Sequence, residues 1–196
     1  MPPKPKFSRE QIVSAALEIV TQRGPSALTA RSLGAQLGSS ARPIFTVFDS
    51  MEEVSQQVRL TAARQFRQDV RREIPGLPPF KAIGMNMVHF AMEKPRLFQL
   101  LYMQGNPDAE GLSLFFQLDD LAAESVSTIQ REYGLDQPRA ERLFRQVWIH
   151  TYGISALCAA GVCRFDEQEI SDMLSFAFQS MLSHILSEKE GIATAG

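Results

Sequence analysis

The sequence contains few of the residues that mark disulfide-rich, metal-binding or membrane proteins. It has two cysteines, Cys158 and Cys163, with no His or Cys pair at metal-ligand spacing around them, which argues against a disulfide framework and a zinc site. No apolar run approaches the length of a bilayer span, and the N-terminal MPPKPK lacks the apolar segment of a signal peptide. We therefore expect a cytoplasmic protein with no metal and no membrane partner, whose cysteines are plain thiols near a helix end. A redox role for either thiol would need a low-pKa environment that sequence does not reveal.

Motifs of the common enzyme classes are also missing. There is no Gly-rich phosphate loop, no HExxH, no GxSxG and no paired carboxylate that marks a site. An enzyme is the rival interpretation from another class, and no motif supports it. The sequence therefore predicts no catalytic residue and no cofactor.

The composition is that of an ordinary globular protein, but the charge is unevenly distributed. The 196 residues are 44% hydrophobic and 21% charged, with a net charge of −2. Residues 1–72 hold 11 Lys/Arg against 6 Asp/Glu, a net of +5, whereas residues 73–196 hold 9 against 16, a net of −7. A basic N-terminal part suits a polyanionic partner, which the acidic remainder would repel.

The stretch around which the chain is organised is Leu28–Phe48, LTARSLGAQLGSSARPIFTVF. Thr29 can cap a first helix, because its hydroxyl can accept a hydrogen bond from an amide at the helix start. Leu33 and Leu37 lie four apart on one face of that helix. Gly38 can end it, since glycine tolerates the left-handed conformation of a C-terminal cap.

The same stretch predicts a second short helix after a tight turn. Ser39 or Ser40 can cap it, and Pro43 falls in its first turn, where no intrahelical amide bond is lost. Its apolar positions follow helical spacing and are Ile44, Val47 and Phe48. Two short helices joined in this way are the helix-turn-helix arrangement, in which the second helix enters the DNA major groove.

Residues 8–54 resemble the DNA-binding domain of the TetR family of transcriptional regulators. The matching segments are SREQIVSAALEIVTQRG, LTARSLGAQLG, the Ile44-Phe45 and Phe48 positions, and DSMEEV. The resemblance implies an all-α fold with an N-terminal three-helix domain containing the helix-turn-helix and a C-terminal helical bundle. The family usually has Gly-Thr where this chain has Arg42-Pro43, Tyr-His where it has Phe45-Thr46, and Lys where Met51 stands. These departures fall at positions that often contact phosphates in the family.

The candidate DNA contacts lie at the starts of the two predicted helices. Arg42 is the first candidate for a base contact, because an arginine fork matches guanine O6 and N7; the alternative is that it only neutralises a phosphate. Thr46 can reach a base edge or a phosphate, and Phe45 can offer apolar contact to a thymine methyl. Thr29 and Arg31 are placed to hold phosphate. The full predicted set is Thr29, Arg31, Ser40, Ala41, Arg42, Pro43, Phe45 and Thr46, where Ala41 and Pro43 allow close approach of the backbone.

Helix starts and breaks in the helical pattern predict that the chain has three parts. A capping box of Ser50 and Glu53 opens a long helix that can run to about residue 72, and the segment IPGLPP then breaks the helical pattern. We therefore predict an N-terminal arm and helix-turn-helix domain over residues 1–50, a connecting helix over 51–74, and a helical ligand-binding and dimerisation domain over 75–196. In that last part helical patterns span residues 79–94, 95–104, 108–133, 138–161 and 166–188.

The segment WIHTYGISAL resembles a segment found in one branch of the same family. The resemblance implies that the last two long helices pair with their copies in a second subunit, so that a homodimer forms through a four-helix bundle. Small residues such as Gly153 and Ala156 allow close helix approach, and a monomer would leave an apolar surface in water. A dimer also places two recognition helices one helical turn apart, as a palindromic operator requires.

Methionine and aromatic side chains in the second part predict an apolar or aromatic small-molecule effector. The candidate ligand residues are His89, Met92, Phe98, Tyr102, Phe116, Trp148 and Tyr152, each of which taken alone also suits an ordinary core. The predicted protein is a repressor that leaves its operator when the effector shifts the helix starting at Ser50. The alternative is a dimeric regulator without an effector and with a filled core, and a cavity in the second domain would distinguish the two.

Overall fold

The computed structural model describes residues 5–104 and 120–193, and these residues form eight α-helices and no strand. The helices are α1 (Arg9–Arg23), α2 (Ala30–Gln36), α3 (Met51–Val70), α4 (Pro79–Glu93), α5 (Pro95–Tyr102), α6 (Asp120–Tyr133), α7 (Gln137–Ala159) and α8 (Glu167–Ala193). The all-α fold class is therefore confirmed. The predicted helix over residues 108–133 begins outside the described residues, and so does the candidate ligand residue Phe116.

Local capping explains where most of these helices begin. Ser8 and Gln11 form the predicted capping box at the start of α1. Ser50 Oγ accepts the Glu53 N–H at 3.2 Å before α3, but the Glu53 carboxylate accepts from the Asp49 N–H at 2.8 Å. The capping box predicted there is thus only half formed, since its reciprocal bond is shifted by one residue.

The prediction of a second α-helix in the helix-turn-helix is wrong. The chain forms one short 3-10 turn, Ile44–Thr46, and neither Ser39 nor Ser40 caps it. Pro43 has no N–H to donate and disfavours the helical conformation at the residue before it, Arg42. Because Ile44, Thr46 and Val47 are also β-branched and have low helix propensity, the segment gains too few hydrogen bonds to become a longer helix.

The described residues fall into two compact units. Unit 1 holds the residues up to Phe66 together with Glu93–Gln104, and unit 2 holds Arg67–Met92 together with the residues from Asp120 onward. The division between the units falls inside α3, whereas the sequence predicts the connecting helix as a separate segment. The predicted three-part division stays a prediction.

Each unit has its own apolar core. In unit 1, the predicted stripe of α1 is fully buried and consists of Ile12, Ala16, Ile19 and Val20. In unit 2, α4, α7 and α8 enclose a cluster of Met85, Val88, Ile154, Cys158, Ile170 and Leu174. Burial raises the pKa of the Cys158 thiol, and neither Cys158 nor Cys163 forms a disulfide. Within the described ranges, none of the helices combines the length and apolar character needed to cross a membrane.

Candidate functional site

A glycine inside α2 sets the geometry of the helix-turn-helix. A Cβ atom added at Gly34 would lie 2.9 Å from the Ala41 nitrogen and the Ser40 carbonyl carbon, and 3.0 Å from the Ser39 oxygen. The Ser39 N–H also donates to the Gly34 carbonyl at 2.9 Å. The turn that follows α2 is therefore packed directly on the helix backbone, at a distance that only glycine permits.

The predicted DNA contacts lie on the surface of unit 1. Ser40 to Thr46 form one continuous segment at the 3-10 turn, and Thr29 and Arg31 lie at the start of α2. The exposed members of the predicted set are Thr29, Arg31, Ser40, Arg42, Phe45 and Thr46, whereas Ala41 and Pro43 are half-buried. No carboxylate of the described residues pairs with Arg31 or Arg42, so both guanidinium groups are available to an external anion.

Hydrogen bonds limit what two of these residues can do. The Thr46 hydroxyl donates to the Pro43 carbonyl at 2.7 Å, so its remaining capacity is to accept a hydrogen bond, as from a base amino group. At the start of α2 the Thr29 N–H donates to the Ser32 hydroxyl at 2.9 Å. In this arrangement Thr29 offers no backbone donor to a phosphate, and Arg31 carries the positive charge of that helix end.

Three contacts that the sequence did not predict fix this surface in place. The Arg9 guanidinium lies 4.3 Å from the centroid of the Phe48 ring and pairs with the Glu53 carboxylate. The Asp49 N–H and then Arg9 lower the pKa of Glu53. The Lys6 ammonium donates to the Ser39 hydroxyl at 3.2 Å. Since Arg9 and Phe48 are far apart in sequence, no local signal could have paired them.

Unit 2 contains an aromatic-walled cavity of about 170 Å³. Its walls come from α4, α7 and α8, with Tyr133 at the end of α6. The aromatic residues form a chain of neighbouring rings, with centroid distances of 5.1 Å for Tyr133–Phe178, 5.6 Å for Phe178–Phe80, 6.3 Å for Phe80–Phe144 and 5.7 Å for Phe144–Trp148. An apolar cavity of about 150 Å³ is known to hold benzene, so this one has room for a single ring with a small substituent.

Of the six predicted ligand residues that the structure describes, only Trp148 lines this cavity. Phe98 and Tyr102 lie in unit 1, where the Tyr102 ring packs 5.0 Å from Phe98 and 5.2 Å from Phe66. The Met92 side chain is exposed, and His89 Nε2 lies 2.8 Å from a Glu167 carboxylate oxygen.

Tyr152 lies on α7, is half-buried and does not line the cavity, and burial raises the pKa of its hydroxyl. Several residues that line the cavity were not predicted as ligand contacts from the sequence. They include Phe80, Lys81, Tyr133, Phe144 and Phe178. Residue type identifies aromatic side chains but does not tell which helices converge.

Large apolar side chains are exposed on both α7 and α8. Ile149 and Leu157 are 41% and 43% exposed, eight residues apart on one face of α7. Between them at Gly153 an added Cβ would meet nothing within 4 Å. On α8, Phe176 is 75% exposed, whereas its neighbour Ala177 is buried at 5%. Among the described residues of this helix, Phe176 is the most exposed large apolar side chain, followed by Leu186 at 42%.

Comparisons with known proteins agree with this fold. Residues 80–181, slightly more than half of the chain, match the family model described as "Tetracyclin repressor-like, C-terminal domain". No curated protein sequence matches the chain.

Several solved structures share the fold at low sequence identity. A TetR family protein from Vibrio parahaemolyticus is 17% identical with a TM-score of 0.64, over 88% of this chain and 97% of that one. A substituted TetR from Acinetobacter baumannii in complex with minocycline is 14% identical with a TM-score of 0.60, over 93% and 98%. A transcriptional regulator from Rhodococcus is 12% identical with a TM-score of 0.62, over 91% and 97%. At such identities the resemblance concerns the fold alone.

Proposed function

We propose that this chain, which belongs to the TetR family of transcriptional regulators, is a dimeric repressor that a small aromatic or apolar effector releases from a palindromic DNA operator. The observation that carries the effector part is the aromatic-walled cavity of about 170 Å³ inside the family-matched region. A regulator without an effector would be expected to fill that space with side chains, because protein interiors are close-packed. The structural relative in complex with minocycline also favours a small-molecule ligand for this chain.

The DNA-binding part of the proposal rests on unit 1. Its exposed turn carries Arg42 and Phe45, and the start of α2 carries Arg31. The positive net charge of residues 1–72 adds a long-range attraction for the phosphate backbone. In the proposed complex Arg31 holds a phosphate while Arg42 and Phe45 contact base edges.

Replacing Arg42 by Ala is expected to weaken operator binding by roughly 1–3 kcal/mol and to relax base preference at one position of each half-site. The operator is first located by protection of DNA upstream of the protein's own gene. Affinity is then measured by fluorescence anisotropy on operators substituted at single positions. Arg31→Ala is the matched control, because loss of a phosphate contact weakens all sequences alike and lowers the salt dependence.

The role of Arg42 as a base reader would be wrong if Arg42→Ala changed affinity equally on every operator variant. That result would make Arg42 a phosphate contact like Arg31. Unchanged affinity together with unchanged preference would remove it from the interface altogether.

The release mechanism requires that the effector prefer the DNA-incompetent arrangement of the chain. A ligand with equal affinity for both arrangements shifts nothing, and a tenfold loss of DNA affinity corresponds to about 1.4 kcal/mol of coupling. That value lies within the usual range of roughly 1–3 kcal/mol. In the proposed mechanism the effector shifts α3, which begins at Met51 beside the helix-turn-helix and extends past the division between the two units. The shift changes the spacing of the two DNA-contacting turns in the dimer.

Ligands that occupy the cavity are expected to change the fluorescence of Trp148, the only tryptophan, and to release operator DNA at the same concentrations. Replacing Trp148 by Phe retains a ring but removes part of the wall, so ligand affinity measured by calorimetry is expected to fall about tenfold while operator binding persists. Tyr152→Phe, outside the cavity, is the control and keeps wild-type affinity. Ligands that bind tightly yet leave operator affinity unchanged would contradict the coupling.

A further inference from the structure

The cavity of unit 2 is apolar on most sides but carries one formal charge. Among the described residues that line it, Lys81 is the only ionised side chain, and the others are aromatic, aliphatic or neutral polar. Lys81 lies in the first turn of α4, directly after Phe80 of the aromatic wall. A cavity with this lining disfavours a cationic occupant, because the ammonium would repel it at close range.

The Lys81 ammonium has a hydroxyl partner but no anion. It is half-buried, and Nζ donates to Ser171 Oγ on α8 at 2.6 Å. No carboxylate in the described part of the chain lies within ion-pair distance of it. An ammonium has three N–H donors, so two remain for another acceptor. Since the ammonium is only half-buried, its two remaining donors are open to water or to an anionic ligand in the cavity.

A second donor in the cavity wall also has no acceptor. The Trp148 side chain is 7% exposed, and its Nε1–H has no hydrogen-bond partner among the described residues. Buried N–H groups almost always find an acceptor, so an orphaned one beside a cavity needs an explanation. The neutral hydroxyls of Thr151 and Ser175 donate to carbonyls of their own helices at 2.8 Å. Lys81 and Trp148 therefore both have a donor to spare at the cavity, as do the half-buried Tyr133 hydroxyl and the exposed Gln179 amide, but of these four only Lys81 carries a charge.

We propose that the effector is a monocyclic aromatic carboxylate, whose ring lies among the aromatic side chains and whose carboxylate pairs with Lys81. The inference rests on the proposed effector function and specifies the chemical class of that effector. A volume of about 170 Å³ fits one ring with a short acidic substituent. The carboxylate has enough lone pairs to accept from both Lys81 and Trp148 Nε1.

The test compares acids with neutral molecules of the same shape. Benzoate and phenylacetate are titrated into the full-length chain at neutral pH against benzamide and phenylacetamide, with benzylamine as the cationic probe. Calorimetry gives the affinity, Trp148 fluorescence reports occupancy of the cavity, and release of operator DNA is followed in parallel. Because a charge-assisted hydrogen bond is stronger than a neutral one, one of the acids is expected to bind about tenfold or more tightly than its amide.

Variants at position 81 identify the anchor. Lys81→Met keeps the length of the side chain but removes its charge, and is expected to abolish the preference for acids while amide binding persists. Lys81→Arg is expected to restore part of that preference. Lys94→Met, which changes a lysine in unit 1 outside the cavity lining, is the matched control and keeps the full preference.

The possible failures are distinguishable. If amides bind and release DNA as well as acids do, or if Lys81→Met retains the acid preference, the carboxylate class is wrong while effector sensing stands. If neither acids nor amides bind and the chain still binds its operator, this inference is overturned. The proposed effector function is overturned as well if neutral apolar ligands also leave Trp148 fluorescence and operator binding unchanged.

Discussion

Replacing Gly34 by alanine is expected to abolish specific operator binding, although position 34 has no side chain to contact DNA. The added methyl carbon would lie 2.9 Å from backbone atoms of Ser40 and Ala41. Backbone atoms cannot rotate away as the end of a flexible side chain can, so the turn carrying Arg42 must move. Overpacking of this kind costs roughly 1–3 kcal/mol, and it displaces the proposed DNA-contacting segment as a whole.

A second glycine provides the control for this experiment. Gly84 also lies inside a helix, but a Cβ there would meet only side-chain atoms, the end of Leu174 at 3.3 Å and the Thr151 methyl at 3.9 Å. Leu174 lines the cavity and can shift into it, so Gly84→Ala is expected to stabilise the fold by up to about 1 kcal/mol through helix propensity. Operator affinity and chemical unfolding are measured for both variants. Wild-type operator affinity in Gly34→Ala would show that the close packing of the turn is not required.

Replacing Phe176 by Asp is expected to convert the proposed dimer to monomers. Phe176 is 75% exposed within one chain, so the substitution removes little from the chain's own core. At a contact between two copies, however, it replaces an apolar surface with two like charges. Loss of the second half-site is expected to weaken binding to a palindrome by roughly 10²–10⁴-fold, because bivalent attachment is lost.

Sedimentation and operator binding measure this effect together. Val162→Asp is the control, because Val162 is 69% exposed but lies in the turn after α7. It is expected to leave the dimer intact. Ala177→Asp is a poor test, since Ala177 is buried and its substitution would damage the fold of unit 2. A wild-type monomer at micromolar concentration would refute the proposed dimer, and a dimeric Phe176→Asp would exclude this face of α8 from the interface.

The parts of the fold that the sequence predicts correctly depend on neighbouring residues. The Ser8 box at the start of α1, the Thr29 cap of α2 and the left-handed Gly38 after it all act within four or five residues. Their signals are therefore complete in a short stretch of sequence. The buried stripe of α1 follows from periodicity in the same way.

The parts that the sequence misses depend on distant residues or on a balance between weak preferences. The segment after Gly38 has helical spacing of apolar residues, but Pro43 and its β-branched neighbours leave only a 3-10 turn. The ring of Phe80 meets Phe178 from a helix almost a hundred residues later. Periodicity places each ring on a face of its own helix and does not specify which helices come together, so the cavity lining could not be selected by residue type.

The short 3-10 turn makes the conformation of the proposed DNA-contacting segment depend on residues elsewhere in unit 1. Ile44–Thr46 has few hydrogen bonds of its own, and its position depends on Gly34 beneath the turn and on Arg9 stacked against Phe48. A peptide of residues 28–48 would lack Arg9 and would not keep this shape, since so short a helix is unstable alone. The segment therefore does not keep its conformation by itself. Transfer of its DNA specificity to another protein would require transfer of Arg9, Gly34 and Phe48 as well.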